Sequence, residues 1–196
     1  LFSYIFKKLN LNARYNKILI ENEQKLLDYV HDIKINKTLL GINITMPYKE
    51  TVIPYLDLLT KEAAITKAVN CISIKNQNLI GHNTDIDGFK QFLIHHNINI
   101  KSNDYIIIGS GGSARAIIWT LINYDAGNIY ILSRNKQTAK TLIDNFKPYL
   151  NKSTLQLLNN SFNSKFCNII NCTPIGMAQN IDTSILESLP DCYYNI

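Results

Sequence analysis

The chain has 196 residues, of which 46% are hydrophobic and 18% charged, with a formal net charge of +5. That apolar content can build one large core or two small ones, no stretch approaches a transmembrane span, and no charged-then-apolar leader precedes the first helix. The Lys and Arg residues are scattered rather than gathered in a stripe with interleaved aromatics, which argues against nucleic acid as a partner and suits small anions or an ordinary soluble surface.

Leu1, Phe2, Ile5, Phe6 and Leu9 fall on one face of a helix already under way at the first residue. Residues 13–20 read as a strand. Asn22 suits the N-cap of a helix reaching about Ile33, with Leu26, Leu27, Val30 and Ile33 inward. The apolar run Leu39, Leu40, Ile42, Ile44 reads as a buried strand over 39–44, and Pro47 fits the first position of a helix over 47–56. The turn between them sets Thr45 and Lys49 at a strand's carboxyl end, where open α/β sheets hold their ligands. A lysine in the first turn of a helix opposes the dipole, and a role in proton transfer would explain it.

Residues 68–74 and 79–82 read as strands around the turn Lys75-Asn76-Gln77-Asn78. A helix starting near Asp85 carries Phe89, Phe92, Leu93 and Ile94 on one face, and its polar exit over 97–103 marks a boundary between units 1–101 and 102–196. Beyond Asp104 a stricter alternation follows: strand 105–108, helix 112–124, strand 128–132, helix 135–149, strands 154–158 and 168–171, a short helix 182–189 and a last strand at Cys192. Such βαβ rhythm implies an α/β fold with a parallel sheet and right-handed crossovers in the second unit. The chain begins without an initiator Met and stops in an apolar run after Tyr193 and Tyr194, so both ends read as cut.

The most regular motif is Ile108-Gly109-Ser110-Gly111-Gly112-Ser113-Ala114, a glycine turn between a strand and a helix. Gly109 allows the tight turn, Gly111 lets backbone N–H groups approach a pyrophosphate, and Ala114 takes the third small position. Gly112 and Ser113 open the helix on whose N-terminus the pyrophosphate would rest. At the end of the second strand an NAD site would offer a carboxylate for the ribose 2′-hydroxyl. Here stand Ser133, Arg134, Asn135 and Lys136, which suit a 2′-phosphate and hence NADP(H). Two solvated cations capping a loop would look the same.

Ala68-Val69-Asn70 enters one strand, and Gly81-His82-Asn83-Thr84-Asp85 closes the hairpin and opens a helix. Asp85 reads equally well as an N-cap or first-turn acid. With Thr45, Lys49 and Asn70, however, it completes a set of cation, carboxylate, amide and hydroxyl suited to a polyhydroxylated acid. A Lys–Asp pair in hydrogen-bond reach can pass a proton to or from a substrate oxygen. Cys71, Cys167, Cys172 and Cys192 form no CxxC pair and have no histidine at metal-ligand spacing, so free thiols in a reducing cytosol are expected, with no metal site.

In order and spacing, Asn43-Ile44-Thr45-Met46-Pro47-Tyr48-Lys49, Ala68-Val69-Asn70, Asn83-Thr84-Asp85, the 109–116 loop and Asn171-Cys172-Thr173-Pro174-Ile175-Gly176-Met177 resemble the shikimate dehydrogenases along essentially the whole chain. The resemblance implies an N-terminal α/β substrate domain followed by a Rossmann-like NADP-binding domain. The implied activity is cytoplasmic, NADPH-dependent interconversion of 3-dehydroshikimate and shikimate on the way to chorismate and the aromatic amino acids, by a monomer or homodimer. Lys49 matches the family's catalytic lysine and Asp85 its partner carboxylate, while Thr45, Asn70 and Asp85 match groups that hold substrate hydroxyls. Residues 109–113 match the pyrophosphate turn, Ser133-Arg134-Asn135 the family's Asn-Arg-Thr grip on the 2′-phosphate, and Thr173 a loop beside the cofactor. Asp191-Cys192-Tyr193-Tyr194 resembles the strand end where the nicotinamide docks against Cys192 and Tyr194 approaches the substrate.

Ser133 departs from the family's Asn, which leaves NADP preference mainly to Arg134, and Pro174 stands where many members have Ser. The family's opening strand and its carboxylate-binding Ser-x-Ser turn are expected before Leu1, and a substrate-binding Gln with the closing helices after Ile196. Two rival readings remain: a quinate/shikimate dehydrogenase using NAD(P), and a truncated, non-catalytic nucleotide-binding remnant.

Overall fold

The computed structural model describes residues 1–36, 38–158 and 168–176. Helix α1 (Phe2–Lys8) comes first, and α2 (Glu23–Ile35) starts where Asn22 Oδ1 accepts the Lys25 N–H at 2.9 Å, a cap typically worth about 1 kcal/mol. Leu26, Val30 and Ile33 bury the inner stripe of α2, but Leu27 is 37% exposed, one position outside the stripe. Residues 13–20 are not a strand. β-propensity forms no ladder without a sheet edge to pair with, and among the described residues this run finds none; its carbonyl at Ile20 accepts the Tyr48 hydroxyl instead.

The first sheet consists of β1 (Gly41–Asn43), β2 (Leu58–Leu59), β3 (Cys71–Lys75) and β4 (Asn78–His82), in the order β1-β3-β4-β2. Its pairs are antiparallel except β2 with β4. The β3–β4 hairpin turns through Asn76 and Gln77, both at positive φ, the two-residue geometry whose twist matches that of the strands. The expected helix over 47–56 does not form. The Lys49 carbonyl accepts Val69 N–H at 2.7 Å rather than a helical partner, and Pro54 has no N–H to give Glu50. What remains is a run of turns after a cis Met46–Pro47 peptide and a 3₁₀ turn at Ile53–Tyr55. Lys49 therefore stands in a turn and opposes no helix dipole.

Two elements went unread in the sequence: β2, and α3 (Lys61–Thr66), whose cap is Thr60 Oγ1 on Ala63 N–H. Asp57, just before β2, ties three elements together. One carboxylate oxygen accepts Leu79 N–H at 2.9 Å and the other pairs with Lys34 of α2. The Leu79 N–H first, and then Lys34, hold its carboxyl below the usual aspartate value of 3.8. A depressed folded value contributes stability that is present above the unfolded value and is lost as pH falls through the folded one. Asp57→Asn is therefore expected to lower Tm at pH 7, with the gap from wild type closing as pH drops below 3.8, a pattern read by thermal melts across pH. A constant gap at every pH would contradict this.

The second sheet is fully parallel, in the order β7-β6-β5-β8: β5 (Tyr105–Ile108), β6 (Asn128–Leu132), β7 (Thr154–Leu157) and β8 (Asn168–Asn171). All four residues of β5 are buried, as a central strand covered on both faces requires. Helices α5 (Gly112–Asn123) and α6 (Lys136–Phe146) are the crossovers, and Ile107, Ile118, Leu121, Ile129, Leu142 and Phe146 centre the core.

Helix α4 (Asp85–His95) leads from the first sheet and packs along α5, burying Leu93 in that core. Phe92 and Ile94 are exposed, so only part of its expected apolar face is used. The last turn of α3 is held from the other side: Asn145 Nδ2 of α6 donates to Ile65 O at 2.9 Å and Arg115 Nη1 of α5 to Thr66 O at 3.4 Å. The expected short helix at 182–189 and strand at Cys192 lie outside the described residues.

Candidate active site

Strand direction gathers the polar turns. Because β1 and β4 both run antiparallel to β3, Asn43, Cys71 and His82 stand in register at one edge. The turns after β1, before β3 and after β4 are thus neighbours. Backbone bonds fix them: Ile44 N–H donates to Asn70 O at 2.8 Å, and Asn70 N–H to His82 O at 3.0 Å. Three segments far apart in sequence share one corner.

In that corner Lys49 Nζ lies 2.7 Å from Asp85 Oδ2. Asn70 Nδ2 donates to the other carboxylate oxygen at 2.7 Å, while Asn70 Oδ1 accepts Thr84 N–H at 2.8 Å. Each oxygen of Asp85 thus has a donor, and the carboxylate sits in the first turn of α4, where the helix dipole favours it. The Lys49 side chain is only 17% exposed, so its ion pair is partly withdrawn from water and strengthened accordingly. Ser113 Oγ is a further partner of Nζ at 3.2 Å. His82 is engaged by Ser73 Oγ at 2.8 Å, away from this pair.

The glycine turn faces Lys49 from the second sheet. Ile108 is in register with Leu132 and Asn171, so the loops after β5, β6 and β8 meet at the carboxyl edge. Gly109 has φ +110°, and a Cβ there would stand 3.1 Å from Thr173 Cγ2 and 3.3 Å from the Cys172 backbone. Only glycine fits both demands. Gly111 is the N-cap of α5 and supplies no side-chain cap; the space a Cβ would occupy there is open. Ser110 and Ser133 touch through their hydroxyls at 3.0 Å. Arg134 is exposed, and Asn135 Oδ1 caps α6 by accepting Thr138 N–H at 3.0 Å.

A cleft of about 460 Å³ lies between the two edges, lined by Thr45, Lys49, Gly111, Gly112, Ser113 and Thr173 among others. Asn70 and Asp85 reach it through Lys49, and Ser133, Arg134 and Asn135 stand beyond it at the end of β6. Cys192 and Tyr194 lie outside the described residues. Asn171, read in the sequence as part of a motif but given no role, builds the third loop: its Oδ1 accepts Thr173 N–H at 2.9 Å and its Nδ2 donates to Ile175 O at 2.9 Å. An Asn two residues before a Thr is the available signal. Arg115, the one charged residue of α5, also went without a role; it is buried and paired with Glu50 at 2.9 Å. Cys172 lines the cleft too. Burial pushes its thiol up to about 12, against the pull of the Lys49 charge, so it is a thiol rather than a nucleophilic thiolate at neutral pH.

Residues 1–72 match the family known as the shikimate dehydrogenase substrate binding domain. The NADP(+) shikimate dehydrogenase of Clostridium botulinum (strain Loch Maree / Type A3) is 36% identical over 171 residues, 87% of this chain and 64% of that protein. That of Pelagibacter ubique is 34% identical over 185 residues, 94% of this chain and 67% of that protein. The chain belongs to the shikimate dehydrogenase family. A crystal structure of the Listeria monocytogenes shikimate 5-dehydrogenase, in complex with shikimate and NAD, superposes with a TM-score of 0.79 at 25% identity, covering 96% of this chain and 68% of that one. Its fold is thus that of the shikimate dehydrogenases, an α/β substrate domain with a Rossmann-like domain. The chain spans 62% to 67% of the length of the relatives it matches. Among the described residues, no helix is long and apolar enough to cross a membrane.

Proposed function

We propose that this chain carries the catalytic pair and the cofactor turn of an NADP-dependent shikimate dehydrogenase, which interconverts 3-dehydroshikimate and shikimate. The observation that carries the reading is the Lys49–Asp85 contact of 2.7 Å, held in a cleft whose opposite wall is a glycine turn. In this reading residues 1–101 form the substrate unit and residues 102–196 the cofactor unit of a cytoplasmic monomer or homodimer.

The residues present fit the cofactor. The open space over Gly111 and the uncapped first turn of α5 suit a pyrophosphate, whose charge the free N–H groups and the dipole would bind. The first turn of α6 has no carboxylate and follows Arg134, an arrangement suited to the 2′-phosphate. The relatives' names, shikimate dehydrogenase (NADP(+)), support the same choice. When bound, NADP(H) supplies or takes up the hydride at the substrate's C3.

The chain's own residues handle the proton and the geometry. Lys49 gives a proton from Nζ to the C3 oxygen on reduction and recovers it on oxidation. Asp85 keeps the amine in place and, with Asn70 and Thr45, holds the substrate's hydroxyls. Asn70 also fixes Asp85 by donating to its other oxygen, so the carboxylate cannot swing away from the amine.

Steady-state turnover of the protein at its natural length, with shikimate and quinate crossed against NADP and NAD, tests the reading. Highest kcat/KM for shikimate with NADP is expected. A preference for quinate or for NAD would favour the quinate/shikimate rival, which draws support from Ser133 in place of the family's Asn. No turnover of any of the four would leave the non-catalytic reading.

A further inference from the structure

Two consecutive residues at the start of α5 close on Lys49, and a third, one turn on, closes on its neighbour. A Cβ on Gly112 would stand 2.9 Å from Lys49 Cβ and 3.1 Å from its Cδ, so the bare glycine is the seat of the lysine's stem. Ser113 Oγ is 3.2 Å from Nζ, a contact between residues 64 positions apart. Arg115, with its side chain only 6% exposed, pairs with Glu50 at 2.9 Å. A glycine turn whose only task is a pyrophosphate needs none of these contacts.

We propose that Ser113 is a positioning residue for Lys49, its hydroxyl holding the amine nitrogen in the cleft against the first turn of α5. The inference rests on Lys49 being the proton-transferring group of the reaction proposed above. An ammonium has three N–H donors and no acceptor. Asp85 and Ser113 take two of them, leaving one for a substrate oxygen. Once that proton has moved, the nitrogen is a neutral amine with a lone pair. A carboxylate has no hydrogen to offer the lone pair, whereas a hydroxyl both accepts and donates. Ser113 therefore holds the nitrogen in both states of the cycle. Its oxygen also stands beside the positive end of α5, where an ammonium alone would be repelled.

Ser113→Ala and Ser113→Thr, made in the protein at its natural length, test the inference by three readouts. Loss of the positioning contact is expected to lower kcat about tenfold in Ser113→Ala, with KM for shikimate and the Kd of NADPH moving less than about twofold. Ser113→Thr, which keeps the hydroxyl, is expected to recover most of kcat. The third readout needs no turnover: in ¹⁵N-lysine NMR spectra of the protein without substrate, exchange of the Lys49 ammonium hydrogens with water is expected to rise about fivefold in Ser113→Ala and not in Ser113→Thr. Unchanged kcat and exchange, or a loss confined to the NADPH Kd, assigns Ser113 to the cofactor alone and overturns the inference. Faster exchange in a protein that oxidises no shikimate supports the hold on Lys49 and counts instead against the reaction.

Discussion

Lys49→Ala, in the protein at its natural length, is expected to lower kcat for shikimate oxidation by about 10³-fold, within the usual range for removing a general acid–base group. The loss should fall on kcat rather than on cofactor binding. Among the described residues, the Lys49 side chain meets the cofactor turn through its stem at Gly112 and its amine on Ser113. Asp85 would keep Asn70 as a donor and its place in the first turn of α4, so the corner has no reason to collapse. The Lys49 backbone, which accepts Val69 N–H, is unaffected by the side chain. Near-normal turnover in Lys49→Ala would remove this lysine from the chemistry. A large fall in Tm would show instead that the pair is structural.

The second large effect is expected at Arg134. Arg134→Gln should reduce the ratio of kcat/KM for NADP to that for NAD by about 30-fold, since charge-assisted hydrogen bonds worth about 2 kcal/mol would be lost for one cofactor only. The neighbours of Arg134 leave it most of the task. Ser133 shares its hydroxyl with Ser110, and Asn135, whose Oδ1 caps α6, has only a neutral amide N–H to offer a phosphate. Turnover with NAD should stay within about twofold of wild type, because the removed cation faces no charge there. An unchanged ratio would mean that Arg134 does not read the 2′-phosphate.

Much of the second sheet was legible because it obeys local rules. Tyr105 to Ile108 is apolar throughout because both faces are covered, and the glycine turn follows it in the one place a βαβ unit needs it. The Asn22 cap and the Asn76-Gln77 hairpin turn are equally local. The lysine turn was legible as a site but not as a structure. Its helix was ruled out by a bond from Val69, twenty residues on, which no spacing pattern near Lys49 announces. Residues 13–20 failed for the converse reason, since a strand depends on an edge that the run itself does not contain. Helix α3 has a proper Thr60 cap but only six residues, too few for periodicity to register. Within the site, Lys49 could be paired with Asp85, but not Asn70 with Asp85 and Thr84, and all of these contacts depend on β1, β3 and β4 lying in register. Ser113 was read as a phosphate ligand because its contact with Lys49 spans both sheets.

The hold on the last turn of α3 bears on how this molecule tolerates change. The chain crosses between sheets at 97–103, and the two sheets are joined again where Asn145 and Arg115 each grasp a carbonyl of a six-residue helix. Successive residues of an α-helix point about 100° apart, so one residue added to α3 would turn both carbonyls away from their donors. The connection at 97–103 is itself anchored, by Ile100 in the core of the second sheet and by Ser102 N–H on Asp125 O at 2.9 Å. Helix α3 is thus a short clasp between the two sheets, beside the longer packing of α4 on α5.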